Sequence, residues 1–317
     1  MVDFLNSSSP VFLYGTTPPR LGASPAETET AAQKLVERTT NLRLDGFVVY
    51  DVQDESERNA APRPFPFLPT LDSRVYSRLL REKSGKPVIT YKSVAQMAPD
   101  VWQGWLDESA HEFGLETLSL VGAPTSRFRA PDSISLPQAV AMAKTHASGF
   151  TLGGVAIAER HSAARRESLR MIEKARGGCD FFVSQTVYHP QKTIDLLNDY
   201  ARECRECGEQ PRRVVLSFAP CGRAKTLEFI KWLGVAVPAP IESAILSAPD
   251  PLSQSVEICC AILREILREI EDPTLPLGLN IESVSIKKEE IDASITLFET
   301  LQAEFLRLSA EKATKPL

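Results

Sequence analysis

The chain has 317 residues, 43% hydrophobic and 24% charged, with 16 glycines and a formal net charge of -5. That composition describes an ordinary globular protein and excludes fibrous, disordered and membrane-spanning classes. No run approaches the roughly 20 apolar residues of a spanning helix, and MVDFLNSSSP at the start lacks a basic flank and an apolar signal core, so a cytoplasmic location is expected. The acidic balance argues against nucleic acid, because a phosphate-binding groove needs concentrated Lys and Arg.

In chain order, short apolar runs alternate with amphipathic segments. The predicted strands are 11–15, 46–50, 87–91, 116–121, 150–156, 179–185, 213–218 and 277–283. Between them, 26–40, 71–83, 136–147, 162–177 and 289–308 carry apolar residues at spacings of three and four, the pattern of helices with one buried face. Asp72, Ser135 and Ser162 stand where a side-chain oxygen would cap a helix start. Eight strands with few charges fit a parallel sheet covered on both faces, hence an α/β fold: a single (β/α)8 TIM barrel over 1–317. An open doubly wound sheet is the alternative, but no strand is followed by G-x-G-x-x-G. The stretch from Pro238 to Asp272 adds a helix pair before the last strand, with 253–271 as its long member.

In such a barrel the C-terminal strand ends converge on one mouth, which locates the candidate chemistry. Those positions are 15–17, 50–55, 90–92, 121–124, 156–161, 184–188, 218–221 and 281–285. YDVQDE at 50–55 places Asp51, Gln53, Asp54 and Glu55 after a buried strand, where a carboxylate can orient a polar ring or move a proton; a plain acidic loop is the competing reading. The proline-dense 60–70 lies over the same end. Six cysteines are too sparse for a disulfide framework, and Cys204-x-x-Cys207 has no second Cys or His pair, so no metal is expected. His111 and His146 are read as helical, structural residues.

Several segments resemble methylenetetrahydrofolate reductase almost end to end. FLYGTTPPR at 12–20 is similar to that family's first strand, and 153–190 to its Val-Ala-x-x-Pro-Glu-x-His segment, helix and strand ending in Thr-Gln. VVLSFAP at 214–220, WLGVAVP at 232–238 and LNIESVS at 279–285 echo later strands. The resemblance implies a barrel acting on a reduced folate. It puts Gln185 against the pterin-like ring and His161, Glu167 and Lys174 along a flavin's ribityl-phosphate chain. The departures are specific. Gly15 stands where the family has its acid-catalytic glutamate. Val121 and Ala123 replace the arginine and aspartate that hold the flavin, Val88 replaces a histidine while Thr90 remains, and Ile157 and Ala158 replace tyrosine and proline.

The usual FAD anchoring is therefore not expected, and the ligand is expected to be a tetrahydrofolate derivative in its 5,10-methylene or 5-methyl form. Hydride transfer from NAD(P)H or one-carbon transfer would then use a relocated acid, Asp51 or Glu282, with Asp54 and Glu55 as further candidates. Gln185, Tyr188, Asp54, Phe218 and Asn280 are the expected substrate-binding residues. A non-catalytic folate-binding or regulatory module of the same fold is the alternative. A homo-oligomer or a one-carbon-transfer partner protein remains open, and neither membrane nor nucleic acid is expected as a partner.

Overall fold

A computed structural model describes residues 5, 9–56, 59–123, 125 and 128–314, with side chains to 311. Most of the N-terminal stretch read above for a signal core, and Pro124 of the 121–124 strand end, lie outside the described residues. The elements are β1 (Val11–Thr16), α1 (Pro25–Thr39), β2 (Gly46–Val49), α2 (Ser73–Ser84), β3 (Val88–Ser93), α3 (Pro99–His111), β4 (Thr117–Val121), α4 (Leu136–Thr145) and β5 (Thr151–Ala156). They continue with α5 (Glu167–Arg176), β6 (Phe181–Thr186), α6 (Pro190–Glu206), β7 (Arg213–Phe218), α7 (Ala224–Trp232), α8 (Ala239–Ser247), α9 (Pro251–Glu269), β8 (Leu277–Glu282) and α10 (Lys288–Thr314). The strands close in sequence order into an eight-stranded parallel barrel, the expected α/β TIM fold, and α8 with α9 form the expected pair before the last strand. Among the described residues no helix is long and apolar enough to cross a membrane.

Local chemistry sets the boundaries. Ser135 caps α4 through a reciprocal box with Gln138, and Asp72 caps α2 by accepting from the Arg74 amide. Ser24 and Glu27 form a second box at α1. Two expectations are corrected. Ser162 lies five residues before α5 and instead accepts from the Arg165 amide at 3.2 Å in a small turn. α4 stops at Thr145, so His146 is extended and reaches Asp107 Oδ1 at 3.0 Å.

The packing resolves into two compact units. One comprises Leu13–Val155 and Lys174–Phe182. Its core holds Phe47, Ile89, Leu118 and Leu152, none more than 1% exposed. Gly153 is needed there: a Cβ would meet the Phe181 ring at 2.4 Å. The other unit runs to Phe12, then covers Ala156–Glu173 and everything from Val183 onward. In it the buried Arg213 donates to the Leu5 carbonyl at 2.8 Å and the Leu277 carbonyl at 2.6 Å, tying Leu5 to the starts of β7 and β8.

These contacts set opposite expectations for two glycines. Gly153→Ala overpacks against a fully buried ring and should cost about 1–3 kcal/mol. Gly104→Ala, inside α3 where a Cβ meets nothing within 4 Å, should gain about 0.5–1 kcal/mol of helix stability. Urea unfolding of the two variants checks both signs.

Candidate functional site

Side chains along a strand alternate between the two faces of the sheet. On β7, Val214 and Leu216 line a cavity of about 10 Å³ with Leu196 and Leu197 of α6, so they face the helices and Ser217 faces the barrel interior. The β7–β8 register pairs Ser217 with Asn280, whose Nδ2 donates to Ser217 Oγ at 3.2 Å. The Ser217 amide donates to Ser184 Oγ on β6 at 2.9 Å. Two residues further toward the C-terminal ends, Thr186 Oγ1 donates to Glu282 Oε1 at 3.0 Å.

The result is two polar tiers across β6–β8. The deeper one, Ser217 and Asn280, is buried; the upper one ends on the half-buried Glu282. Barrel interiors are ordinarily filled with branched apolar side chains, and polar groups persist there only when hydrogen-bonded. A carboxylate held by a hydroxyl above the Asn280–Ser217 bond can accept from a ligand's N–H groups or exchange a proton with it.

The expected site residues divide accordingly. Asn280 and Glu282 belong to the tiers. Gln185 alternates with Ser184 and Thr186, and its Nε2 donates to the Leu233 carbonyl at 2.8 Å beside the small cavity, which is too small for an organic ligand. Tyr188 is fully buried and its hydroxyl donates to the Ala219 carbonyl at 2.7 Å, in a cluster with Cys221, Leu227 and Ile230. Phe218 shares the helix-facing side of Leu216 and is equally buried. In the other unit, Asp51 Oδ2 accepts the Ser93 amide at 2.9 Å and lies 3.5 Å from Lys92 Nζ. The exposed Asp54 accepts the Ser56 amide at 3.0 Å, and the hydroxyl and amide of Ser56 hold its carboxyl below the usual range. Thr90 donates to Ser77 of α2 at 2.8 Å and so faces the helices.

Sequence reasoning did not single out Ser184, Thr186 and Glu159, which lie within the expected mouth positions, or Ser217, which lies just before them. A signal existed for two of them: Ser184-x-Thr186 and Asn280-x-Glu282 are polar pairs at the spacing of one strand face, each at the end of an apolar run. Glu159 Oε1 accepts the Ala236 amide at 3.2 Å, so with Gln185 it tethers the turn after α7.

A second concavity, of about 430 Å³, is lined by His161, Arg166, Asp195, Asn198, Asp199, Arg202 and Glu271 among others. Its three carboxylates outnumber its two guanidinium groups, and both arginines are already ion-paired, Arg166 with Glu203 and Arg202 with Asp199. That is a poor anion site. His161 Nε2 also engages Asp199, at 3.0 Å. Burial opposes the Asp199 charge, but the hydrogen bonds from Arg202 and His161 outweigh it and hold this carboxyl below the usual range.

A flavin's ribityl phosphate does not fit the residues that resemblance assigned to it. His161 is engaged by Asp199, Lys174 Nζ donates to the Val155 carbonyl at 2.7 Å, and Glu167 is buried at 1% exposure in the first turn of α5. Among the described residues no group of His, Cys, Asp and Glu could hold a metal ion, and the six cysteines are free.

No family model and no curated protein sequence matches the chain. Among solved structures, an uncharacterized protein from Clostridium thermocellum that binds two copies of 5-methyl-5,6,7,8-tetrahydrofolic acid is 30% identical, over 94% of this chain and 96% of its own, with a TM-score of 0.77. The chain belongs to the family of that protein. The N-(5'-phosphoribosyl)anthranilate isomerase of Pyrococcus furiosus, 13% identical over 95% of this chain and 99% of its own, has a TM-score of 0.45 and carries no argument about function.

Two outcomes follow from this geometry. Glu159→Ala removes the acceptor of the Ala236 amide, and hydrogen exchange in a peptide spanning 233–237 should quicken about 5-fold, the worth of one ordinary hydrogen bond. Asp199 has a native pKa below its unfolded value, so its contribution to stability is present above the unfolded pKa near 4 and is lost as pH falls through the native one. Unfolding midpoints of wild type and Asp199→Asn should therefore differ at pH 7 and converge in acid.

Proposed function

We propose that the chain acts as one methylenetetrahydrofolate-reductase-like barrel that binds a reduced folate, in its 5-methyl or 5,10-methylene form, at the C-terminal ends of β6–β8. The observation that carries this reading is the pair of polar tiers ending on Thr186 and Glu282, on a face where a barrel is normally apolar. The relative from Clostridium thermocellum, which binds 5-methyltetrahydrofolate, supports the ligand class.

The reaction in this reading is hydride or one-carbon transfer, with NAD(P)H as the hydride donor where reduction occurs. Asp51 has its Oδ2 taken up by Ser93 and Lys92, which suits holding the β3 end better than moving a proton. Gln185 and Glu159 act beside the ligand by fixing the turn at 233–236. Flavin has no part in the reading.

A second reading, a folate-binding or regulatory module without turnover, is favoured by Gly15, which cannot transfer the proton that the reductase family draws from that strand.

The test is a thermal-shift and calorimetric titration with tetrahydrofolate and its 5-methyl and 5,10-methylene forms, read together with absorbance between 350 and 500 nm. At ligand 100-fold above Kd the midpoint should rise by about 3–5 °C, the protein should be colourless, and the titration should report whether one or two copies bind. No shift with any of the three overturns the folate reading; stoichiometric yellow protein overturns the exclusion of flavin. NAD(P)H consumption with 5,10-methylenetetrahydrofolate then separates the enzyme from the module.

A further inference from the structure

We propose that Glu282 reads the ring edge of the bound pterin and that Thr186 is the positioning residue that aims its carboxylate. This rests on the folate reading above and names, within that site, the residue that sets ligand class. A reduced pterin carries a 2-amino-4-oxo-pyrimidine whose exocyclic amine and ring N–H are two adjacent, parallel donors. The partner that satisfies both is an ionised carboxylate, which only accepts and has two oxygens in the matching plane. A carboxamide presents one acceptor and one donor, so it leaves one of the two N–H groups facing another N–H.

Among the residues that end β6, β7 and β8, the carboxylate is Glu282; Gln185 has a carboxamide and already donates to Leu233. Glu282 is half-buried, in surroundings where a charge-assisted hydrogen bond gains over its value in water.

Thr186 supplies the aim. A glutamate loses substantial rotamer entropy when one geometry is required of it, and a bond that fixes it beforehand removes that cost from binding. The hydroxyl 3.0 Å from Glu282 Oε1 belongs to a β-branched residue on a strand, whose χ1 is stiff, and Thr186 itself is buried at 8% exposure. The floor beneath is equally fixed, with Asn280 bound to Ser217 and the Ser217 amide to Ser184.

The experiment measures affinity for 5-methyltetrahydrofolate and for its 2-desamino analogue in wild type, Glu282→Gln, Thr186→Val and Thr186→Ser, with thermal melts of each variant as a check on folding. Glu282→Gln should weaken 5-methyltetrahydrofolate by about 30-fold or more, Thr186→Val by about 5- to 10-fold, and Thr186→Ser by no more than about 2-fold. Wild type should prefer the amino form over the desamino form, and that preference should collapse in Glu282→Gln. A general loss of structure would weaken both ligands alike and leave the preference intact. If wild type binds but Glu282→Gln keeps both its affinity and its preference, this inference is overturned and the folate reading stands. If Thr186→Val matches wild type, or Thr186→Ser is as weak as Thr186→Val, the positioning role is overturned. Wild type that binds no reduced folate overturns the folate reading and this inference with it.

Discussion

The alternation of side chains along a closed parallel sheet is the constraint from which the candidate site follows. Once Val214 and Leu216 are committed to the helix-facing side, Ser217 has no choice but the interior, and the β7–β8 register then carries Asn280 and, two residues on, Glu282 to the same face. The polar groups placed there bond to one another across neighbouring strands. The bonds between Asn280 and Ser217 and between Thr186 and Glu282 are therefore conditions for keeping those residues inside the barrel, besides being features a ligand could use.

The fold was legible because its signal is local. Each strand is an apolar run of a few residues and each long helix shows its apolar stripe, so all eight strands and the pair before the last of them could be read without knowing their partners. The caps were partly legible. Ser135 and Asp72 precede helical turns at once, whereas Ser162 precedes a segment that closes on Arg165 before α5 begins. Ser162 carries the right chemistry in the wrong local geometry.

The site was less legible because its signal is a phase. Nothing in FFVSQT says whether the Ser–Thr pair or the glutamine between them turns inward; the answer comes from Glu282, 96 residues away from Thr186. The resemblance drew attention to Gln185, whose amide is engaged by Leu233. Tyr188 illustrates a related point. A tyrosine just past a strand end looks available for a ligand, but here the α7–α8 region folds over it, and its hydroxyl finds the Ala219 carbonyl.

That covering region also bears on how a ligand would be discriminated. Val235 is buried against Tyr188, Cys221, Leu227, Ile230 and Ile245, while Val237 and Ile241 pack on the same cluster. On its other side the turn is held by Gln185 at 2.8 Å and Glu159 at 3.2 Å. Burial pushes the Cys221 thiol up to about 12, so the cluster behaves as packing and not as reactive chemistry. A segment fixed by apolar burial on one side and two hydrogen bonds on the other leaves little slack to close around a poorly matched ligand. Selectivity in such a site comes from whether the groups already in place find complementary partners, which makes the identity and aim of the carboxylate at Glu282 weigh more than any movement of the chain around it.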